Sequence, residues 1–360
     1  MIRISNIQLF VLIIVFEIGS TTLFALGIGA KQDAWIVVLL AAFIGLCLVW
    51  AYTQIPKYYT NKNFSEVLDD VVGKKVAVPL LLLFSIYFYS QSTYNFFEFG
   101  VLIKMTALPQ TPLIVILYLF IIVIIYILYL GFEVLARTAE ILLPYFLIFL
   151  IIIYILTLFS GQFDFDALKP VLGNGIQPVL EELPISIGFP FGEIVLFLMF
   201  WHFVQDQKFI RRNAFFAVGL SALLLIISLI VMISVLGTEL AANSEIPLLD
   251  TILVINIAQI ITNLDSVAVF IMFIGGFYKT ALHFYGFSLV TAWLFNRKNT
   301  KLFMIFFGLL LPFVTINRFQ GLDYQRWLGV GNSTYIIPLI ALIPVFLLVI
   351  IYIKKRKEGR

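Results

Sequence analysis

Apolar runs of about 20 residues, separated by short polar breaks, organise this chain from end to end. A hydrocarbon core about 30 Å thick is spanned by about 20 helical residues, so each run reads as a membrane-crossing helix. Length and polar breaks together predict ten spans, at about 7–29, 34–55, 76–103, 112–130, 140–160, 187–204, 214–237, 266–295, 302–316 and 334–353. The segment 247–262 (PLLDTILVINIAQIIT) is apolar but short, and Asn256 and Gln259 interrupt it. It is expected to form an amphipathic helix on the outer face before span 8, with an eleventh span as the alternative.

Ten spans divide into five and five, and the first of each half is interrupted. Span 1 carries Gly19-Ser20-Thr21-Thr22; span 6 carries Gly188-Phe189-Pro190-Phe191-Gly192-Glu193, with Pro184 upstream. Proline removes a backbone donor and clashes with the preceding turn, and glycine lowers the cost of leaving helical geometry. Small residues also serve close helix contacts in membranes, so either break alone is compatible with packing. Breaks at matching positions of two halves point instead to a midplane site between inverted repeats. The expected fold is all-α: ten helices in a five-plus-five inverted-repeat, leucine-transporter-like bundle with helices 1 and 6 broken. It forms a single transmembrane domain, with repeat 1 at about 7–160, an outer loop at about 161–186, repeat 2 at about 187–353 and a basic tail at 354–360. An α-helix restarting near Ser20 would aim its positive end at a ligand carboxylate. Carbonyls freed at the span 6 break would accept from a ligand ammonium.

Composition agrees with a membrane protein: 62% of residues are hydrophobic, 12% are charged and the mean hydropathy is +1.07. Soluble domains carry about 25% charge. Charge also orients the chain. With the N-terminus inside, only Lys31, Lys104, Lys169, Arg318 and Arg326 of the 23 Lys and Arg fall outside, and Lys279 lies within span 8. Positive charge concentrates in cytoplasmic segments, so both termini are expected there, with the tail KKRKEGR against anionic headgroups. The net charge of +3 is thus a topological anchor and implies no nucleic-acid partner. The N-terminal run lacks a cleavage pattern and reads as a retained first helix. One cysteine and two histidines argue against a disulfide framework or a transition-metal site. No phosphate-binding loop, zinc-hydrolase motif or nucleophile elbow is present; neither an enzyme nor a cofactor is expected.

Four ionisable residues fall inside spans: Glu17, Glu98, Glu193 and Lys279. Each costs roughly 2.5–3.5 kcal/mol on insertion scales, which makes it a functional candidate by default. Glu17 and Glu193 flank the two breaks, where one could bind an amine or take up a proton and Lys279 could neutralise it. Ser90, Tyr94 and Glu98 share one face at helical spacing, with Asn95 beside them, and read as a polar stripe toward a cavity; the alternative places Glu98 in outer water. Phe189 and Phe191 are candidate cavity walls. His283, four residues from Lys279 and near Tyr278, reads as a packing residue, while His202 and Asp206 read as interfacial and Asp265 as a cap opening span 8. Glu133, Arg137 and Glu140 lie by the loop between spans 4 and 5, in position for a local salt bridge.

The run QLFVLIIVFEIGSTT, the loop LKPVLGNGIQPV at 168–179 and GFPFGE followed by IVLFLMF resemble the spore-germination permeases, the B subunits of endospore germinant receptors. The resemblance covers essentially the whole chain. It implies the fold of the amino acid–polyamine–organocation superfamily, residence in the spore inner membrane, and an A subunit and a lipoprotein C subunit as partners. It also implies that a nutrient such as an amino acid or sugar binds and triggers germination. Related permeases use a glycine-rich span 1 break for the ligand carboxylate; this chain has one glycine there, with Glu17 before it. The expected ligand-binding set is Glu17, Gly19, Ser20, Thr21, Thr22, Tyr94, Glu98, Phe189, Pro190, Phe191, Gly192, Glu193 and Lys279. A proton-coupled amino-acid permease is the rival function, and a structural subunit with a vestigial cavity a third.

Overall fold

A computed structural model describes residues 3–255 and 265–358. Among the described residues, ten helices are long and apolar enough to cross a membrane. They are Asn6–Leu23, Ile28–Tyr58, Lys74–Thr106, Leu113–Leu130, Phe132–Phe159, Gln177–Met199, Gln207–Asn243, Val267–Leu294, Lys301–Arg318 and Leu322–Lys357, numbered spans 1 to 10. The short helix Pro247–Leu253 precedes span 8. Asn256 and Gln259, and with them the rest of the proposed outer helix, lie outside the described residues, as does the side chain of Asp265.

Three boundaries differ from the sequence reading, two of them for the same reason. Span 6 opens with the helix Gln177–Gly188, inside the segment expected to be outer loop. Span 10 opens with Leu322–Gly331, about a dozen residues early, and continues through a wide π-helical turn at Asn332–Ile336. These helical turns carry polar residues toward the bundle interior, which breaks the apolar run that length counting relies on. Span 5 begins at Phe132 because a single residue, Gly131, turns the chain at the end of span 4. Gly131 sits at φ 132°, which favours a residue without Cβ.

Both expected breaks are present. In span 1 the α-helix Asn6–Ile18 starts at a reciprocal cap, in which the Ser5 hydroxyl accepts from the Gln8 amide and the Gln8 side chain accepts from the Ser5 amide. It stops at Gly19, and only a 3₁₀ turn, Thr21–Leu23, follows. The expectation of an α-helix restarting at Ser20 is therefore corrected: no helix of useful length begins there, and the dipole argument for a carboxylate loses its basis. In span 6 the α-helix ends at Gly188, and the chain continues after Pro190 as the 3₁₀ helix Phe191–Met199. Nine residues is long for that geometry, whose hydrogen bonds are poorer than those of an α-helix.

The interrupted backbone is held by neighbouring spans, as it must be where water is absent. Gly19 meets Gly275 of span 8 so closely that a Cβ on either would lie 2.6 Å from the other's Cα. Gly188 abuts the Ser333 carbonyl, 1.9 Å from where its Cβ would be, which seats the span 6 break on the π-helical turn of span 10. Span 8 packs along span 3 more extensively than any other pair of elements. At the end of the bundle that carries the termini, Ile4 and Val204 form a parallel bridge. The Ile4 amide donates to the Phe203 carbonyl at 2.9 Å, and the Gln205 amide donates to the Ile4 carbonyl at 3.0 Å. The starts of spans 1 and 7 and the end of span 6 are thereby clasped together. The salt bridge expected among Glu133, Arg137 and Glu140 does not form; Glu133 instead accepts from the Arg3 amide at 2.6 Å and Glu140 from the Gln8 side chain at 3.1 Å. His202 sits just behind this clasp, its ring centroid 3.8 Å from that of Phe203, and burial holds its imidazole down at about 4.

Gly275→Val should lower the thermal unfolding midpoint of detergent-solubilised protein, since overpacking costs about 1–3 kcal/mol. Gly219→Val, where nothing lies within 4 Å of the added Cβ, should leave it nearly unchanged.

Candidate functional site

Span 8 delivers Lys279 to the space between the two breaks. Its ammonium pairs with the Glu193 carboxylate at 2.7 Å, and both side chains are almost wholly buried, at 0% and 1% exposure. The same ammonium lies 3.5 Å from the Thr21 hydroxyl of the span 1 break. It sits over the ring of Phe189, 3.9 Å from the centroid, and faces Phe16 at 5.3 Å; ring faces attract cations. One lysine thus touches spans 1 and 6 at their interruptions.

Glu193 is held from a second side, where the Gln91 side-chain amide donates to its other oxygen at 2.6 Å. Gln91 in turn accepts from Asn332 of span 10 at 2.8 Å. His283 Nδ1 lies 3.0 Å from the Lys279 carbonyl. A carbonyl only accepts, so Nδ1 carries the proton. Nε2 is left 3.9 Å from Glu193, where it pairs with the carboxylate only on gaining a second proton. Glu17 is fully buried, and both its oxygens lack a hydrogen-bond partner among the described residues. It lies within electrostatic range of Lys279 and Glu193.

Beside this cluster, toward the end of the bundle opposite the termini, is a cavity of about 360 Å³. Its walls come from residues 24–28 after the span 1 break, span 3 (Gln91, Tyr94, Asn95, Glu98), span 6 (Glu182, Ile185, Phe189, Glu193), the end of span 7 and its following loop, and span 10 (Gln325, Arg326, Gly329, Asn332, Ser333). Polar and charged side chains converge there from several elements, against apolar faces of Phe24, Ile28, Phe189 and Ile337. That is the usual make-up of a small-molecule site.

Of the sequence candidates, Tyr94, Glu98, Phe189 and Glu193 line the cavity. Ser20, Thr21 and Lys279 stand directly behind it: the Ser20 hydroxyl is 3.3 Å from the Asn95 side-chain oxygen, and Thr21 faces Lys279. Thr22 donates to the Gly19 carbonyl at 3.2 Å and so closes the break on itself. Gly19, Pro190 and Gly192 form the turns and are not in the wall. Two placements are corrected. Phe191 faces away from the cavity, its Cβ and ring carbons lying 2.8–3.3 Å from where a Cβ on Gly45 of span 2 would be. Ser90 leaves the expected stripe, because its hydroxyl and carbonyl accept from Arg318 of span 9 at 2.8 and 3.2 Å. The stripe that does face the cavity is Gln91, Asn95 and Glu98, at i, i+4 and i+7. That spacing was available in the sequence; the polar residues of span 10 were not, since their segment read as a loop. Arg326, expected in an outer loop, is a wall residue, with its guanidinium 5.5 Å from the Phe24 ring.

Ten spans, matched interruptions in the first and sixth, and a cavity between them define the leucine-transporter fold. The solved structures agree: MhsT in complex with L-phenylalanine matches with a TM-score of 0.64 at 16% identity, covering 97% of this chain and 88% of that one. Mhp1, a nucleobase-cation-symport-1 family transporter in a closed conformation with bromovinylhydantoin bound, matches with a TM-score of 0.58 at 14% identity, covering 93% and 77%. Within that fold the chain belongs to the spore germination protein family, whose model matches residues 3–320. It is 36% identical to spore germination protein KB of Bacillus subtilis over 99% of this chain and 96% of the relative. It is 25% identical to spore germination protein YndE of the same organism over 91% and 89%. The family is of permease and receptor type, and the chain is related throughout its length to the B subunits of germinant receptors.

Lys279→Met should destabilise the folded protein by about 3–5 kcal/mol, the cost of leaving a buried ion-pair partner uncompensated. The double variant Lys279→Met/Glu193→Gln should recover much of that loss. Thermal unfolding of the wild type and the two variants in one detergent checks both.

Proposed function

We propose that this chain is the nutrient-sensing membrane subunit of a spore germinant receptor, and that a small molecule such as an amino acid or sugar binds in the cavity between the broken spans. The observation that carries the reading is the cavity itself, about 360 Å³ of space where Glu98, Arg326, Asn332 and the paired Glu193 converge in an otherwise apolar bundle. Its size suits a single metabolite, in keeping with the ligands of MhsT and Mhp1. Occupancy signals by favouring one arrangement of the bundle over another, which requires that the ligand bind the two arrangements unequally. Partner A and C subunits read that shift, in the spore inner membrane. Polar and ionisable groups around the site include Gln91, Asn95, Glu98, Glu193 and Lys279; Glu17, Gly19, Ser20, Thr21, Thr22, Pro190 and Gly192 act by shaping or charging the floor behind it.

The second reading, a proton-coupled amino-acid permease, is favoured by the transporter fold and by the unpartnered carboxyl of Glu17. Reconstitution in liposomes separates the two. Saturable binding without flux supports the receptor; accumulation of labelled amino acid driven by a pH gradient replaces it with the permease. For the site, Gly329→Trp should fill the cavity, because a Cβ there meets only Tyr94, at 3.9 Å. Spores carrying it should lose the nutrient response while keeping normal amounts of the protein, and an unaltered response removes the cavity from the mechanism. Both termini are cytoplasmic in this reading, since the basic residues of the tail and inner loops share one side. A cysteine at Lys357 in a Cys47→Ser background should resist an impermeant thiol reagent added from outside, and ready labelling reverses the orientation.

A further inference from the structure

Span 9 packs mainly against span 4 and only lightly against spans 3 and 8. A groove of about 490 Å³ is left between the three. Its walls are apolar (Leu82, Ile86, Phe287, Phe307 and Val314 among them), and Leu82 and Ile86 are more than half exposed on the outer surface of the bundle. The hydroxyls within it that could demand water are already satisfied: Ser85 and Thr291 bond each other at 2.9 Å. Only one end is charged. There Arg318, in the last turn of span 9, donates to the Ser90 hydroxyl at 2.8 Å, the Ser90 carbonyl at 3.2 Å and the Thr93 hydroxyl at 2.7 Å. The rings of Tyr94 and Phe319 flank it at 4.5 and 4.9 Å. These groups solvate the cation but bring no countercharge, and no ion pair to Arg318 exists among the described residues. An arginine at the edge of a span, without a carboxylate, calls for an anion from its surroundings, and guanidinium matches a phosphate by shape and charge.

We propose that this groove is a binding site for one acidic phospholipid, with its phosphate on Arg318 and an acyl chain laid along the apolar walls toward Phe295. The site is separate from the ligand cavity but shares span 3 with it. Ser90 and Gln91 are consecutive residues, one holding the lipid's arginine and the other holding Glu193. A lipid in the groove therefore fixes the span that forms one wall of the nutrient site.

Protein extracted from vesicles of phosphatidylglycerol, or of phosphatidylcholine, and examined by native mass spectrometry tests this. Wild type should retain one phosphatidylglycerol, and Arg318→Met should weaken that retention by about tenfold or more, a loss of about 1.4 kcal/mol. Arg318→Met also removes hydrogen bonds to span 3, so Val314→Trp, which obstructs the groove without touching them, serves as the second variant and should lose the lipid equally. Retention of phosphatidylglycerol by Val314→Trp at the wild-type level, equal retention of both lipids by wild type, or no retained lipid at all would each overturn the proposal.

Discussion

The fold turns on one requirement, that a helix interrupted inside a membrane have its loose ends satisfied by protein rather than by water. Lys279 ties both interruptions together through side chains that flank them. It arrives on span 8, which is anchored through the glycine contact at Gly19 and Gly275, and it places a single positive charge against a span 6 carboxylate and a span 1 hydroxyl. From Glu193 the chain of polar contacts continues through Gln91 to Asn332, so spans 1, 3, 6, 8 and 10 are coupled by side chains in sequence. Buried ion pairs add little net stability because desolvation offsets their attraction. What this one contributes is position: it specifies where the two broken segments stand, and hence the shape of the cavity beside them.

The same arrangement explains the excess charge near the site. Two carboxylates, Glu17 and Glu193, share one lysine, and the neighbouring imidazole already has one nitrogen engaged with a carbonyl. A dry interior does not carry an uncompensated charge cheaply. Lys279 is committed to Glu193 at 2.7 Å, and neither oxygen of Glu17 is engaged by a described neighbour.

Much of this architecture was legible in the residues. The number of spans, the interruptions at GSTT and GFPFGE, and the pairing of a span 8 lysine with a flanking glutamate followed from length, proline and glycine chemistry, and the cost of intramembrane charge. The rest was hidden for identifiable reasons. The first half of span 10 is helical but turns Gln325, Arg326 and Asn332 inward, so it lacks the apolar run by which spans are counted. The same holds for Gln177–Gly188 of span 6. The course of span 1 beyond Gly19 depends on packing against span 8, which no local signal reports. Ser90 had the right spacing for the cavity but was drawn to Arg318, a partner about 230 residues away in sequence.

The clasp between Ile4 and Val204 joins three spans at one end of the bundle. It closes the terminal end with two backbone hydrogen bonds, each worth about 0.5–1.5 kcal/mol net, reinforced by the Arg3–Glu133 contact. A differential affinity on the order of 5.5 kcal/mol inverts a two-state population from 1:99 to 99:1, and one small ligand in a polar cavity is capable of supplying a good part of that. The two bonds of the clasp, on the order of 1–3 kcal/mol together, are smaller than that. Because its bonds are made by backbone groups, that seam between spans 1, 6 and 7 is indifferent to most side-chain changes along it, and only a proline at Ile4 or Gln205 would remove a donor.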